Sequence, residues 1–198
     1  MADKDLGFVN PMFTVPIVHY PIENWSENKK KILDALPPED DEHKAPEDNG
    51  LYTDFFYNSH TDNKELPDYF HTVLGVIKPY LADFSEERRV EFIDMWYQKY
   101  YKNVQHQVHT HGHSGWSSVI YVEFDPKVHT PSCFVSPWQN PVSDTTSLAY
   151  PTDVKEGTMF IFPSYTLHFV HPNQTRKRRT VLSFDLLPEC PAHQSIKN

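Results

Sequence analysis

Residues 105–122, Gln-His-Gln-Val-His-Thr-His-Gly-His-Ser-Gly-Trp-Ser-Ser-Val-Ile-Tyr-Val, decide how the rest of the chain is read. Four of these eighteen residues are histidine, and His109, His111 and His113 follow one another at two-residue spacing. In an extended chain residues i and i+2 project from the same face. A His-x-His pair at a strand end therefore aims two imidazoles at one point, as a metal site requires. The run that follows, Ser117 to Phe124, is rich in β-branched and aromatic residues and reads as a strand. The chain has 12 histidines, so chance pairs are common and a solvated turn with exposed histidines is the plain alternative.

A second segment carries the argument further. Gly157-Thr-Met-Phe-Ile-Phe-Pro163 reads as a short buried strand closed by a proline that cannot donate to a ladder. Ser164 to His171 is a turn leading into another strand, and Pro172-Asn-Gln-Thr175 has turn chemistry. Arg179 to Leu187 alternates. Thr180, Leu182, Phe184 and Leu186 make one largely apolar face, and Arg179, Val181, Ser183 and Asp185 make the other.

Length and composition bound the rest. A chain of 198 residues is expected to form a single domain over 1–198, with a core at about 88–188 and an N-terminal strand and helices within 11–84. A hydrophobic content of 38% with 14% aromatics supports a sizeable core, and 17 prolines against 6 glycines favour short strands and stiff loops. A net charge of −9 argues against a nucleic-acid binder, which would show a basic face. Cys133 and Cys190 are far apart and outside any CxxC, so two free thiols are expected rather than a disulfide framework. No secretory pattern or eighteen-residue apolar span is present, so the expectation is a soluble cytoplasmic protein with no membrane partner. Oligomeric state is not readable.

Taken in order, residues 1–10 read as a loose leader and Phe13 to His19 as an edge strand, where Pro16 is tolerable. Ile22 to Leu36 reads as a helix capped by Asn24 or Ser26 and ended by Pro37-Pro38. The acidic stretch Pro37 to Gly50 reads as a mobile loop, and Leu51 to Tyr57 as a strand or a tight aromatic loop. Leu66, Phe70, Val73, Leu74, Ile77 and Leu81 recur at helical spacing and predict a helix over 64–84 packed on a sheet. Arg88 to Tyr101 turns strand-like. Asp125 to Glu156 is a long proline-rich connection, expected to hold one or two strands near Cys133–Val135 and an exposed loop. Trp138 within it is either a substrate contact or a buried anchor. Arg176-Lys-Arg-Arg179 matches a basic-patch pattern but reads better as a solvated hairpin tip, and Glu189 to Asn198 as a frayed tail. Many short strands without βαβ alternation, plus two early helices, predict a mainly β fold: a double-stranded β-helix (jelly-roll, cupin-like) with two N-terminal α-helices packed on its outer face.

His-x-His, the Ser-Ser-Val-Ile-Tyr-Val strand, Phe-Pro-Ser-Tyr-x-x-His and Arg-x-x-x-Ser together resemble the non-haem Fe(II), 2-oxoglutarate-dependent oxygenases over roughly residues 92–188. The pattern is most similar to the small prolyl-hydroxylase-like branch common in marine bacteria and their phages, which extends the expected location to a host cytoplasm. The resemblance implies His109, His111 and His168 as metal ligands and Arg179, Ser183 and Tyr121 as binders of 2-oxoglutarate. It also implies that Gln98, Tyr100 or Tyr101, on the strand before the first ligand, lines the pocket. Chemistry agrees with the roles. Three ligands on one face of an octahedron leave room for a bidentate 2-oxo acid and dioxygen. Arginine binds a distal carboxylate in a fixed fork, and a buried tyrosine hydroxyl needs a polar partner.

The departure is the second ligand, since most of that superfamily has His-x-Asp or His-x-Glu. A third neutral imidazole leaves Fe(II) at its full charge. His111 with His113 is the alternative pair, and Asp125 a more distant carboxylate. The implied activity is hydroxylation of a C–H bond, of a peptidyl residue such as proline or of a small molecule, with 2-oxoglutarate and dioxygen as partners. The competing expectations are a three-histidine jelly-roll dioxygenase needing no 2-oxo acid and a non-catalytic, metal-stabilised binding module.

Overall fold

A strand that is apolar on both faces must be covered on both sides, and the long strands of this chain are of that kind. The computed structural model describes residues 14–39, 50–56, 66–85, 89–140 and 142–189. In chain order its elements are β1 (Val18–Pro21), α1 (Trp25–Ala35), β2 (Tyr52–Thr53), α2 (Phe70–Ser85), β3 (Val90–Tyr100), β4 (His106–His109), β5 (Trp116–Glu123), β6 (Cys133–Asn140), β7 (Thr145–Ala149), β8 (Thr158–Pro163), β9 (His168–Val170) and β10 (Arg179–Pro188). A six-stranded sheet runs β1-β8-β5-β10-β3-β2 and a four-stranded sheet β4-β9-β6-β7. Every pairing is antiparallel, and together they form the expected jelly-roll.

Alternation along the large sheet supplies two cores. Met95 and Tyr97 of β3, Ile120 and Val122 of β5, Met159 and Ile161 of β8, and Leu182, Phe184 and Leu186 of β10 cluster with Ile32 of α1 and Phe70, Val73, Ile77 and Phe84 of α2. The intervening residues, Tyr100, Val119, Tyr121, Phe160, Phe162 and Val181, cluster with Phe134 of β6 and Val170 of β9 in the small sheet. Each fully buried side chain of this size is worth roughly 1.5–3 kcal/mol.

Local chemistry shifts several boundaries. The expected first strand starts at residue 13, which lies outside the described residues; β1 begins at Val18 and is an edge strand. Helix α1 starts at Trp25, later than expected, because Asn24 takes a left-handed conformation (φ 50°). Asn24 makes no side-chain cap bond; the Asn28 amide donates instead to the Glu23 carbonyl. The helix ends where Leu36 becomes extended ahead of Pro37, the steric restriction proline imposes on its predecessor. Helix α2 begins at Phe70, after Pro67 accepts the Phe70 N–H, and carries Pro79 in its interior. The expected helix start at 64–65, residues 40–49 of the acidic loop, Tyr57, the leader, and the tail with Cys190 lie outside the described residues.

The connection 125–156 is more ordered than the sequence predicts. Its strands β6 and β7 form a hairpin, and β6 also pairs with β9. Trp138 is 61% exposed on that hairpin, so it is not a buried anchor. Two residues of the basic run form ion pairs and a third is buried. Lys177 meets Asp125, Arg178 meets Glu123 and Glu39, and Arg179 is buried. Cys133 is a buried free thiol. No described helix is long and apolar enough to cross a membrane.

Gly157 joins the pieces at the entry to β8. Its carbonyl accepts from Ile22, its N–H donates to Tyr121, and its φ is +80°. A Cβ added there would meet Trp25 Cγ at 2.7 Å. Gly157→Ala is therefore expected to destabilise the protein by about 2 kcal/mol or more through left-handed strain plus overlap. In a chain of this size that lowers Tm by about 4–8 °C, measurable by calorimetry; an unchanged Tm would show that α1 is not seated on this turn.

Candidate metal and cosubstrate site

The register of β4 against β9 puts His109 directly opposite His168. His111 lies two residues past His109, beyond the end of β4, where its N–H donates to the Ser164 carbonyl at 2.9 Å. The turn Pro163–Thr166, closed by the Thr166 N–H on Pro163, brings His168 to the start of β9. One potential ligand atom from each of His109, His111 and His168 lies within 4.8 Å of the other two, the one such cluster among the described residues.

The outer nitrogen of each ring is already engaged. His109 Nδ1 lies 2.7 Å from the Gln107 carbonyl, His168 Nδ1 2.9 Å from the Thr166 carbonyl, and His111 Nδ1 3.0 Å from Asp185 Oδ1. All three partners are acceptors, so each Nδ1 carries the proton and each Nε2 presents a lone pair. His109 Nε2 and His111 Nε2 then face each other at 3.2 Å. Two lone pairs at that distance repel unless a cation lies between them. Nitrogens bound at right angles, each about 2.1 Å from one metal, would stand about 3 Å apart, close to what is seen.

The cavity beside these rings is narrow, about 30 Å³, and Arg179 lines it. That guanidinium sits 5.1 Å from the Tyr100 ring centroid and 5.5 Å from that of Tyr121, and the residue is 2% exposed. Its Nε and Nη2 are buried without a hydrogen-bond partner among the described residues. A buried cation with unmet donors is costly, and an incoming carboxylate would satisfy it. Arg179, Val181 and Ser183 of β10 all line this cavity, as their two-residue spacing predicts.

Of the three candidates on and after β3, Gln98 and Tyr100 line the cavity, whereas Tyr101 turns to the Glu39 carboxylate. Tyr121 departs from expectation. Its hydroxyl accepts from the Ser132 N–H at 2.9 Å and donates to Ser132 Oγ at 3.1 Å. It is Ser132, not Tyr121, that borders the cavity, and Tyr121 offers Arg179 its ring face instead of a free phenol. His113 is exposed and outside the cluster, and Asp125 is held by Lys177.

Sequence reasoning missed two residues. His106 stacks on His109 at 4.1 Å between centroids, with Nδ1 3.1 Å from the Gln98 amide nitrogen. Strict alternation puts His106 and His109 on opposite faces, but the β4–β9 register shifts between them and brings both rings to the site. Asp185 falls on the Arg179 face of β10, where spacing alone gives it no role. It receives Ser117 Oγ at 2.7 Å as well as His111.

A family model described as "Putative 2OG-Fe(II) oxygenase" matches residues 94–185, a span holding every residue of the cavity just described. The matched span, just under half of the chain, is similar to the 2OG-Fe(II) oxygenases, and solved structures of like fold carry nickel or iron, some of them with 2-oxoglutarate. HygX from Streptomyces hygroscopicus, solved with nickel, 2-oxoglutarate and hygromycin B, is similar at a TM-score of 0.60 and 12% identity, over 89% of this chain and 84% of its own. A prolyl-4-hydroxylase from Pseudomonas putida is similar at 0.53 and 10%, over 88% and 93%. SnoN, an α-ketoglutarate-dependent epimerase of nogalamycin biosynthesis, is similar at 0.59 and 12%, over 86% and 78%. At these identities the likeness is one of fold. No curated protein sequence matches.

Burial, aided by the neighbouring histidines, holds His106 and His168 down to about 3, and burial also lowers His109. The unfolded chain takes up protons at these rings near pH 6.5, and the folded chain resists them. The stability tied to these neutral rings is therefore fully present above about pH 6.5 and lost as pH falls toward about 3. The metal-free protein should lose Tm steadily across that window. Ring NMR signals of His106 and His168 should stay flat from about pH 8 to 5; a midpoint near 6.5 for either would show a water-filled site.

Proposed function

We propose that His109, His111 and His168 hold Fe(II) through Nε2, that Arg179 and Ser183 hold the distal carboxylate of 2-oxoglutarate, and that the product is a hydroxylated C–H bond of a peptidyl residue such as proline. The donor set fits both groups. Three bare Nε2 lone pairs converge at one end of the cavity, and a buried arginine with two unmet N–H donors stands at the other. That arginine is the observation that carries the proposal. A three-histidine dioxygenase needing no 2-oxo acid, or a binding module, would leave a desolvated cation without a counter-charge.

When bound, Fe(II) would activate dioxygen, the oxidant, with 2-oxoglutarate as co-reductant: one oxygen atom would go to succinate as carbon dioxide leaves and the other to the substrate C–H bond. The chain's own residues position and shelter. The carbonyls of Gln107 and Thr166 and the carboxylate of Asp185 fix the three tautomers and ring planes. Tyr100 and Tyr121 flank the guanidinium with their ring faces and keep it dry. Val119, Phe162, Val170 and Val181 make the walls apolar, which strengthens the Arg179–carboxylate attraction. No side-chain acid or base is assigned. The peptidyl acceptor is supported by the open approach to the histidines and by the fold shared with a prolyl-4-hydroxylase.

The test is an anaerobic titration of Fe(II)-loaded protein with 2-oxoglutarate, followed by the visible charge-transfer band of the chelate. Arg179→Ala should weaken 2-oxoglutarate binding about 100-fold, the loss of a charge-assisted anchor worth roughly 3 kcal/mol, while Fe(II) binding changes little. His168→Ala should lose Fe(II) itself. Iron bound without any band in the wild-type protein would sink the 2-oxoglutarate assignment.

A further inference from the structure

Outward from the histidines the cavity opens into a groove of about 610 Å³, within the range of ordinary ligand pockets, so its chemistry and not its size must identify the occupant. Its described walls carry no lysine or arginine, and their one acid, Asp185, is taken up by His111 and Ser117. One wall is an aromatic rail. Trp96 stacks on His111 at 5.3 Å, Phe55 meets Trp96 edge-on at 5.2 Å, and Phe56 meets Phe55 at 5.4 Å. Phe55 and Phe56 are 37% and 39% exposed. The rail is also rigid. Buried Asp54 accepts the Tyr97 N–H at 3.0 Å and the Tyr69 hydroxyl at 2.6 Å, which clamps the turn to β3 and to the residue before α2. The other wall follows β4, the edge strand of the small sheet, and presents Gln105, Gln107 and Thr110 to solvent.

We propose, resting on the oxygenase assignment above, that this groove takes an extended peptide segment without charged residues near its target. The target side chain lies on the Trp96–Phe55 shelf beside His111, and the flanking main chain runs along β4. Side-chain amides donate and accept at once, as peptide groups do, so Gln105 and Gln107 suit a main chain laid beside an edge strand. A flat aromatic shelf selects an apolar or ring-bearing residue. Among the described groove residues no lysine or arginine would meet the carboxylate of a free amino acid or the phosphates of a nucleic acid, and the one acid, Asp185, is already engaged by His111 and Ser117.

The probe is a fluorescent, N-acetylated and C-amidated peptide pool with one apolar position in a Gly/Ser/Ala frame, titrated onto Zn(II)-loaded protein with 2-oxoglutarate present. The neutral pool should bind, and Lys or Glu placed within two residues of the apolar position should weaken binding at least tenfold. Phe55→Ala should cost the neutral pool at least tenfold while binding of Zn(II) and 2-oxoglutarate is unchanged, and Gln107→Glu should create a preference for Lys-flanked peptides. Free amino acids or neutral oligosaccharides that saturate where the peptides do not would overturn the proposal, as would wild-type peptide affinity in Phe55→Ala. Metal and 2-oxoglutarate binding are read separately, so loss of peptide binding alone sinks the groove, and loss of those two sinks the oxygenase assignment.

The ligand set is also one negative charge short of the usual two histidines and a carboxylate. We infer that Asp185 supplies that charge from behind His111, as a positioning residue that never touches the metal. Its two oxygens lie 3.0 and 3.3 Å from His111 Nδ1, and Ser117, itself 2.9 Å from Ser164 Oγ, fixes the carboxylate at 2.7 Å. A carboxylate behind a ligating imidazole makes the ring a stronger donor, and loss of such a partner typically costs 10–100-fold in metal affinity. Asp185→Asn keeps the shape and removes the charge. Co(II) titration should show a loss of roughly tenfold or more, partly restored in Asp185→Glu, and the iron-loaded variant should be harder to oxidise to Fe(III). Wild-type Co(II) affinity and an unchanged potential in Asp185→Asn would overturn the inference; a wild-type protein that binds no Co(II) would remove the three-histidine site altogether.

Discussion

Three imidazoles that each give their Nδ1 proton to an acceptor are left with lone pairs turned on one another. His109, His111 and His168 are in that arrangement, and the contact is unfavourable until a cation occupies the space between them. A proton is a poor solution, because burial holds His168 down to about 3 and lowers His109 as well. The surrounding structure maintains the geometry against that repulsion. The β4–β9 register sets the distance between His109 and His168, and the His111–Ser164 backbone bond pins the third ring.

Strand β10 couples this site to the stability of the whole molecule. Leu182, Phe184 and Leu186 on one face complete the core under the helices, while Arg179, Val181, Ser183 and Asp185 on the other serve the cavity and His111. Because strand side chains alternate with period two, the core locks the register that aims the functional face. A slip of one residue would put Leu182 in the cavity and Ser183 against the helices, so the burial that stabilises the sheet also specifies the site. The helices never touch the chemistry; they make the register of β10 energetically compulsory.

Much of the site was legible because its chemistry is local to strands. His109 and His111, the buried Arg179 and Ser183 four residues further on, and the tight turn before His168 were each readable from spacing and residue type. Other features depended on what crosses between segments. His106 joins the cluster only because β4 shifts register against β9, and no pattern within residues 105–113 marks that shift. Tyr121 shows its ring, not its hydroxyl, because Ser132, eleven residues along the chain, captures the phenol from a loop whose path local propensity does not define. Helix α2 begins at Phe70 and not near residue 64 because helical spacing of apolar residues marks a face better than it marks an end.

The sequence by itself determined the alternation of the long strands, the chemical kind of each candidate ligand and the side of β10 on which Arg179 and Ser183 stand, since these follow from a two-residue period and the identity of a side chain. Tertiary structure alone decided that His106 joins the other histidines, that Asp185 stands behind His111, and that Phe55 and Trp96 line the approach to them. Those facts rest on pairing between β4 and β9, between β10 and β5, and on the Asp54 clamp that joins the β2 turn to β3. Each is a contact between residues far apart in the chain, and such contacts are set by the packing of the whole sheet instead of by any stretch of sequence.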